Sequence, residues 1–340
     1  MLINNTKQAI ETMNRLGSKG IPFIFLIDFE MKRIIISTQN NDSRLKVEMN
    51  GKKNHQNTST LKQASFFEFY PISKEKYAQK FDLVKSEIQR GNSFLLNLST
   101  STKIVTDLTL DEIFASSEAK YKVLLKDQFV CFSPEIFVQI KDGRISSYPM
   151  KGTIDASIPN AEKVILDDDK ELAEHYTIVD LIRNDLSRVA TKVTVDKFRY
   201  IDRITTAQKD LLQVSSEISG VLPENYPSVI GDILFKLLPA GSISGAPKLK
   251  TLQIIKEAEG QERGYYTGIC GSFDGKNLDS GVMIRYIEKM GDDLYYRSGG
   301  GITSMSDMNS EYQEMIDKIY IPSVKEIPLG TPTQFATNEN

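Results

Sequence analysis

The chain is poor in cysteine and histidine, and this scarcity excludes several kinds of site. Only Cys131 and Cys270 occur, both in apolar segments where a thiol behaves as a small hydrophobic side chain, so a disulfide framework is not expected. His55 and His175 are the only histidines, which rules out a histidine-rich metal site or a zinc cluster of cysteine and histidine. Any bound metal must therefore use oxygen ligands.

Long apolar runs and an excess of one charge are also missing. The longest apolar stretches, at 21–29 and 230–240, are too short or too interrupted to span a bilayer, and segment 1–20 lacks the apolar core of a signal peptide. The 42 basic and 45 acidic residues leave a net charge of -3, so the composition lacks the excess of basic residues that is typical of nucleic-acid-binding proteins. We expect a cytoplasmic protein with neither a membrane nor a nucleic acid as partner.

Length and periodicity predict a mixed α+β fold. The 340 residues are 40% hydrophobic, enough to fill a sizeable core. Runs of consecutive strands, separated by occasional helices, indicate mostly antiparallel sheets. This order of elements argues against a regular βαβ repeat. We predict helices at 6–17, 73–90, 167–189, 226–238, 246–259 and 309–320, and strands at 21–29, 33–38, 93–104, within 120–148, and at 211–221, 265–273, 281–290 and 293–298. Ser73 can cap the second helix, whose apolar face is Tyr77, Phe81, Val84 and Ile88, and Thr109 with Glu112 is a capping box that opens a further short helix. Segment 40–63 contains Asn-Gly and is interpreted as a hairpin or a mobile loop.

Lys151 is the first candidate for chemistry. It stands between Pro149 and Gly152, which places it in a turn just past the end of a predicted strand. A lysine in such a turn is either a solvated surface charge or, if it is held uncharged, a nucleophile.

Two pairs of glutamates recur at helical spacing. Glu171 and Glu174 are three residues apart on one predicted helix, and so are Glu311 and Glu314 on another, so each pair shares a helix face. If the pairs converge, carboxylates ~4 Å apart repel one another by about 4 kcal/mol at an effective dielectric of about 20, which a bound cation would offset. Oxygen ligands alone favour Mg²⁺. The alternative is that both pairs are solvated helix faces.

Two glycine-rich segments indicate backbone that can approach a ligand. Segment 241–248 leads into a helix but lacks the glycine and lysine spacing of a phosphate loop, so it is either an anion-binding helix start or an ordinary tight turn. Segment 298–303 is the second. Arg285, in an apolar strand context, would bind a carboxylate with two parallel hydrogen bonds or form a structural salt bridge.

Taken in order, these motifs resemble the chorismate-utilising enzymes, a family that includes the aminodeoxychorismate, anthranilate, isochorismate and salicylate synthases. The resemblance runs from about 74 to 320 and rests on segments 90–91 with 97–99, 133–135, 149–153, 171–185, 241–248, 263–268, 299–303 and 311–314. Within the family, lysine between Pro-x and Gly-Thr resembles the aminodeoxychorismate synthases, where the other members carry alanine. Lys151 therefore points to the p-aminobenzoate branch of folate synthesis.

The resemblance also implies a fold and a division of the chain. The fold is that of anthranilate synthase component I, an α+β architecture with a large, mostly antiparallel two-sheet sandwich and helices packed outside. Residues 1–72 would be a reduced N-terminal segment packed on the same domain, 73–321 the chorismate-binding catalytic core, and 322–340 a polar tail.

The implied reaction is amination of chorismate to 4-amino-4-deoxychorismate, with ammonia from a separate glutamine amidotransferase chain. Lys151 would form a covalent adduct with the ring, and Glu135 would be the general acid and base for the departing hydroxyl. Glu174 and Glu314 would hold Mg²⁺, with Glu171 and Glu311 beside them. The residues implied to bind substrate are Thr153, Ser244, Gly245, Tyr266, Arg285, Gly300, Gly301 and Lys318.

Two positions depart from the family pattern. Leu95 stands where many relatives have glutamine and the isochorismate-type enzymes have a water-activating lysine, which disfavours hydration of chorismate. Gln213 stands where many aminating members have histidine. No match to the tryptophan-binding element of anthranilate synthase is found, so tryptophan regulation is not expected. The alternatives are an enzyme like anthranilate synthase component I and a non-catalytic chorismate-binding protein.

Overall fold

The computed structural model describes residues 2–38, 44–56, 62, 64–205, 210–321 and 331–332. In chain order its strands are β1 (Leu2–Ile3), β2 (Phe23–Ile27), β3 (Ile34–Ser37), β4 (Leu45–Met49), β5 (Lys52–Lys53), β6 (Phe67–Tyr70), β7 (Leu95–Thr106), β8 (Tyr121–Leu125), β9 (Phe129–Ser133), β10 (Ile136–Lys141), β11 (Arg144–Ser147), β12 (Met150–Asp155), β13 (Thr191–Thr205), β14 (Asp210–Val221), β15 (Gly245–Ala246), β16 (Ile269–Phe273), β17 (Leu278–Val282), β18 (Tyr286–Met290), β19 (Asp293–Thr303) and β20 (Thr331–Pro332). Its helices are α1 (Thr6–Ser18), α2 (Lys74–Gln89), α3 (Leu110–Ser116), α4 (Ala161–Leu166), α5 (Asp169–Ser187), α6 (Ile230–Leu237), α7 (Gly241–Ser244), α8 (Lys248–Glu259) and α9 (Met308–Asp317), with a 3-10 turn at Tyr226–Val229.

The chain divides into two compact units, and each is assembled from three separate segments. The first unit comprises Met1–Gln39, Glu135–Ser244 and Arg263–Val282, and the second comprises Asn40–Pro134, Gly245–Glu262 and Met283–Asn340. The division at residues 72 and 321 that the sequence suggested stays a prediction.

The first unit contains a ten-stranded sheet within the described ranges. Its order is β1-β3-β2-β16-β17-β10-β11-β14-β12, with β13 on the other edge of β14, and the paired strands are antiparallel. Asp142 and Gly143 form the tight turn between β10 and β11 with φ of 49° and 80°, as their Asp-Gly sequence predicts. Helix α1 contacts the 3-10 turn closely at Gly17, where an added Cβ would lie 1.9 Å from the Pro227 carbonyl oxygen.

The second unit contains its own ten-stranded sheet, again counted over the described residues. The order is β20-β6-β7-β19-β18-β9-β8-β4-β5, with β15 beside β7, and only the β20 pairing with β6 is parallel. Helix α2 begins at the predicted cap, where the Ser73 side chain accepts from the Lys76 amide, and it buries the apolar face predicted from the sequence. That face joins a core that also includes side chains of β7, α8 and α9.

The predicted α+β fold with mostly antiparallel sheets is confirmed, and two local predictions need correction. The long strand β13 was not predicted, and the single strand expected at 281–290 is instead the end of β17 followed by β18. In segment 40–63, strands β4 and β5 form the hairpin that Asn-Gly predicts, while 40–43, 57–61 and 63 lie outside the described residues. Over the described part of the chain, no helix is long and apolar enough to cross a membrane.

Candidate active site

Lys151 lies within a strand, which corrects the predicted turn. It is the second residue of β12, where Met150 pairs with Ser215 and Thr153 pairs with Gln213. Three steps along β12 thus match two along β14, so one extra residue forms a β-bulge. Gly152 takes φ of 82° in this bulge, a left-handed conformation that glycine adopts readily. Proline and glycine therefore flank an irregular strand here, and bulges of this kind redirect a side chain next to a functional site.

The Lys151 amine lies against a carboxylate of the predicted metal set. Its Nζ is 3.3 Å from Glu174 Oε2, and the two side chains are 24% and 13% exposed. Glu174 belongs to α5, which is capped by the Asp168 side chain accepting from the Glu171 amide. The lysine is therefore held in an ion pair and is not a freely solvated surface charge.

Glu171 reaches the same bulge from one turn earlier on α5. A Cβ added to Gly152 would lie 3.0 Å from Glu171 Oε2, so the absent side chain leaves room for this carboxylate. Within the first unit, the structure thus brings Lys151, Glu171 and Glu174 together as neighbours of one bulge. The i, i+3 spacing of the two glutamates correctly predicted a shared helix face.

His175 is a neighbour that the sequence reasoning missed. Its side chain is completely buried, and Nε2 lies 2.7 Å from Ser216 Oγ. Burial, followed by the positive charges of Arg199 and Lys151, lowers the pKa of His175 to about 4, so the ring is neutral at physiological pH. The sequence offered one signal, since His175 directly follows Glu174, but histidine was considered only as a metal ligand.

Glu135 is held by a serine of the glycine-rich segment. Ser242 Oγ donates to Glu135 Oε1 at 2.5 Å, and the Val282 amide donates to the Glu135 carbonyl at 3.1 Å. Both side chains line a small pocket of the first unit together with Tyr148 and Asp185. A half-buried carboxylate that a hydroxyl holds in one orientation is suited to general acid and base catalysis.

Three other predicted substrate residues lie in the first unit. Ser244 is buried and its hydroxyl donates to the Ala240 carbonyl at 2.8 Å. Tyr266 is also buried. Thr153 is exposed, and its Oγ1 accepts from Gln213 Nε2 at 3.4 Å. Their assignment to substrate stays a prediction.

Gly245 belongs to the second unit and packs against backbone. It forms β15 with φ of 128°, and an added Cβ would lie 1.9 Å from the Leu95 carbonyl oxygen. The glycine is therefore required for the pairing of β15 with β7, and its assignment to substrate stays a prediction.

The second acidic pair meets strand β19 at a glycine. Gly300 and Gly301 lie inside β19 and pair with Leu98 and Asn97 of β7, so the strand predicted at 293–298 continues through this glycine-rich segment. An added Cβ at Gly300 would lie 3.2 Å from Glu311 Oε2 and 3.6 Å from Glu314 Oε1. Both carboxylates of α9 thus occupy the space that a side chain here would fill.

The second acidic pair, Glu311 and Glu314, interacts electrostatically with neighbouring side chains. Glu311 is only 5% exposed, and burial with the charges of Glu311 and Glu314 raises the pKa of the buried Tyr77. Lys318 donates from Nζ to Glu314 Oε1 at 2.6 Å and to the Gly299 carbonyl at 2.9 Å. The lysine thus links the acidic pair to the glycine strand.

Arg285 has a left-handed backbone conformation, and its side chain contacts an aromatic ring. Its φ is 51°, its Nε donates to Tyr320 Oη at 3.3 Å, and its guanidinium lies 5.4 Å from the centre of the Tyr320 ring. A guanidinium oriented on an aromatic ring retains hydrogen-bond donors suited to a carboxylate.

The glutamates fit a hard divalent cation, although they do not form a closed cage. In each unit a glycine leaves space beside the carboxylates, and each pair has a lysine within ion-pair distance. No group of three or more histidine, cysteine, aspartate or glutamate side chains among the described residues is arranged to hold a metal ion. The donor chemistry suits Mg²⁺, which keeps several waters and commonly uses one or two carboxylates. Mg²⁺ binding stays a prediction.

A family model described as chorismate binding enzyme matches residues 13–322. This chain belongs to the chorismate binding enzyme family. The resemblance inferred from the ordered motifs is therefore confirmed, and the motif residues described above are those of a chorismate binding enzyme.

Two relatives and one solved structure are similar to this chorismate binding enzyme. It is 52% identical over 324 residues to an uncharacterized PabA-like protein of Haemophilus influenzae, covering 95% of this chain and 98% of that protein. It is 31% identical over 265 residues to aminodeoxychorismate synthase component 1 of Bacillus subtilis, covering 74% of this chain but 55% of that one. Anthranilate synthase component I from Streptococcus pneumoniae has a similar structure, with a TM-score of 0.64, 28% identity, and coverage of 77% of this chain and 60% of that one. The predicted fold type is confirmed.

Leu95 and Gln213, the two departures from the family pattern, have clear places in the fold. Leu95 is a buried side chain of β7, paired with Thr303 and with Ala246. Gln213 is half-buried on β14 and bonds to Thr153. In this chorismate binding enzyme, position 95 is therefore an apolar side chain of the core.

Proposed function

We propose that this chain aminates chorismate to 4-amino-4-deoxychorismate and that Lys151 is its nucleophile. The observation that carries the proposal is the position of Lys151 on a β-bulge, with its amine 3.3 Å from Glu174 on α5. The similarity to an aminodeoxychorismate synthase component 1 supports the same reaction. In the p-aminobenzoate branch of folate synthesis this product precedes p-aminobenzoate.

The lysine acts by forming and then losing a bond to the substrate ring. The Lys151 ammonium first loses a proton to solvent. Its Nζ then attacks the ring carbon next to the ring carboxylate, the ring double bonds shift, and the bond from the para carbon to its hydroxyl breaks. Ammonia then attacks the carbon that lost the hydroxyl, and the bond to Lys151 breaks. The substrate keeps its enolpyruvyl group throughout, which distinguishes this reaction from anthranilate formation.

Glu135 protonates the departing hydroxyl so that it leaves as water. General acid catalysis of this kind contributes roughly 10²- to 10⁴-fold in rate. The hydrogen bond from Ser242 supports this role because it orients the Glu135 carboxylate. Arg285 is proposed to bind a substrate carboxylate, together with the other predicted substrate residues.

We propose Glu171, Glu174, Glu311 and Glu314 as ligands of Mg²⁺. When bound, the ion neutralises a substrate carboxylate and so assists its binding and orientation. The ammonia is proposed to come from a separate glutamine amidotransferase chain, and a cytoplasmic location stays a prediction.

The test is turnover by the purified chain with chorismate, Mg²⁺ and an ammonium salt at alkaline pH, with the product identified by mass. We expect 4-amino-4-deoxychorismate, and we expect Lys151→Ala to reduce its formation by at least 10²-fold, in line with loss of a covalent catalyst. Lys250→Ala, which alters an exposed lysine of α8, is the matched control and should retain activity.

Two outcomes would replace the proposal. Anthranilate as product would identify an enzyme like anthranilate synthase component I, a possibility raised by the structural similarity to that protein. Tight chorismate binding without any turnover would identify a non-catalytic binding protein.

A further inference from the structure

Ser216 connects three segments of the first unit around the Lys151 bulge. It is a fully buried residue of β14, and its amide donates to the Pro149 carbonyl at 3.0 Å. Its Oγ accepts from the Arg199 amide of β13 at 3.0 Å and lies 2.7 Å from His175 Nε2 on α5. Ser216 thus joins the residue that precedes β12, strand β13 and helix α5 by hydrogen bonds.

The Ser216 hydroxyl has two polar neighbours in this cluster. Its oxygen accepts the Arg199 N–H and also forms a hydrogen bond with His175 Nε2, in which either atom can be the donor. The buried Nδ1 of His175 has no hydrogen-bond partner within the described ranges, so the Ser216 bond is the polar contact that orients the ring there.

Both ends of this connection are next to reactive residues. Pro149 lies two positions before Lys151, and His175 is the residue after Glu174. The path from Pro149 through Ser216 to His175 therefore fixes the backbone on each side of the 3.3 Å contact between Lys151 and Glu174.

We propose that His175 and Ser216 are positioning residues that hold helix α5 against β12 so that Lys151 and Glu174 stay in register. This inference rests on the proposed function, in which Lys151 is the nucleophile. A buried hydrogen bond has a narrow range of lengths and angles, so its loss allows α5 to shift relative to the bulge. Catalysis that depends on an oriented nucleophile loses about 10²-fold in rate for a misplacement of about 1 Å.

The experiment compares His175→Leu, His175→Gln and Ser216→Ala with a matched control in the full chain. Ser219→Ala is the control because Ser219 is also a fully buried serine of β14, but its hydroxyl bonds to Asp196. The first readout is acetylation of Lys151 by acetic anhydride, measured by mass spectrometry relative to exposed Lys250. The second readout is kcat and KM for ammonia-dependent turnover.

We expect Lys151 to be acetylated severalfold faster in His175→Leu and Ser216→Ala than in the unchanged protein, because its amine is no longer held against Glu174. We expect their kcat to fall roughly 10- to 100-fold with little change in KM. His175→Gln, whose amide can still bond to Ser216, should lie close to the unchanged protein in both readouts. Ser219→Ala should not change the acetylation ratio.

The inference is overturned if His175→Leu and Ser216→Ala match Ser219→Ala in acetylation and in kcat. Should His175→Leu fail to fold, Ser216→Ala, which removes one oxygen, decides the result. Failure of the proposed function would look different, since Lys151→Ala would then keep its turnover while the acetylation readout still reports on the register of Lys151 and Glu174.

Discussion

At the scale of single residues, the chemistry depends on how a few side chains are held by their neighbours. Lys151, Glu174 and Glu171 were all proposed from sequence, because a lysine in a family motif and glutamates three apart are recognisable patterns. Ser242 and His175 were not, because their roles come from contacts with Glu135 and Ser216, far away in the chain. Single-sequence patterns do not encode such distant partners.

Loss of the Ser242 hydroxyl should slow catalysis without unfolding the protein. Ser242→Ala leaves Glu135 Oε1 without its 2.5 Å donor, and a hydrogen bond to a charged group is worth about 1.5 to 3 kcal/mol. We expect kcat to fall roughly 10- to 100-fold, with recovery in Ser242→Thr, which keeps a hydroxyl. Steady-state kinetics would check this, and equal loss in both variants would contradict a role for the hydroxyl.

At the scale of secondary-structure elements, regular pieces were predicted well and irregular ones were not. The helix α2 and the capping box of α3 follow from local patterns, and both are present. Strand β13 was missed because charged residues such as Asp196 and Lys197 interrupt its apolar pattern, and it is stabilised by long-range pairing with β14. The β12 bulge was mistaken for a turn because glycine occurs in both.

The bulge itself should respond strongly to a side chain at Gly152. Gly152→Ala combines a left-handed backbone, costing about 1 to 2 kcal/mol, with a Cβ only 3.0 Å from Glu171 Oε2. We expect reduced stability in urea denaturation together with at least a 10-fold loss of turnover as Glu171 is displaced.

Gly91→Ala is the control for that variant. Its φ of 76° carries the same backbone cost, but an added Cβ would meet no atom within 4 Å. It should lose stability while keeping activity. Equal activity in the two variants would show that the carboxylate at Gly152 is unimportant.

Asp196 should make the β13 edge sensitive to acid. Hydrogen bonds from Ser219 and then Thr194, with Arg144, lower the pKa of Asp196 to about 2. Because this pKa is depressed in the folded state, the stabilisation is complete above the ordinary aspartate pKa near 3.9 and is lost as pH falls through about 2. Asp196→Asn should therefore be less stable than the unchanged protein at pH 6, with the gap closing toward pH 2 in urea titrations. A gap independent of pH would contradict the assignment.

At the scale of the whole molecule, the fold type could be predicted from the order of motifs, whereas the interleaved segments of the two units could not. The motifs name which residues matter, but the pairing of β2 with β16, for example, joins residues far apart in the chain. Which strands pair over such distances depends on all the strands of the sheet, so a short stretch of sequence does not predict it.

Metal binding should be visible as stabilisation of the entire chain. If the glutamates bind Mg²⁺ in the folded state, a concentration about 100-fold above Kd adds about 2.7 kcal/mol and raises Tm. Glu314→Gln should weaken this response, whereas Glu257→Gln, at an exposed position of α8, should not. Identical Mg²⁺ responses in the two variants would remove Glu314 from the ligand set.

The three-segment construction of each unit has a consequence for synthesis and fragmentation. In the first unit, β2 reaches β10 only by way of β16 and β17, which are encoded after most of the chain. A nascent polypeptide therefore exposes unpaired strand edges until its last quarter emerges, which invites aggregation and calls for protection during translation. Split genes or protease-trimmed products ending before β16 would leave two half-sheets with nothing to bridge them.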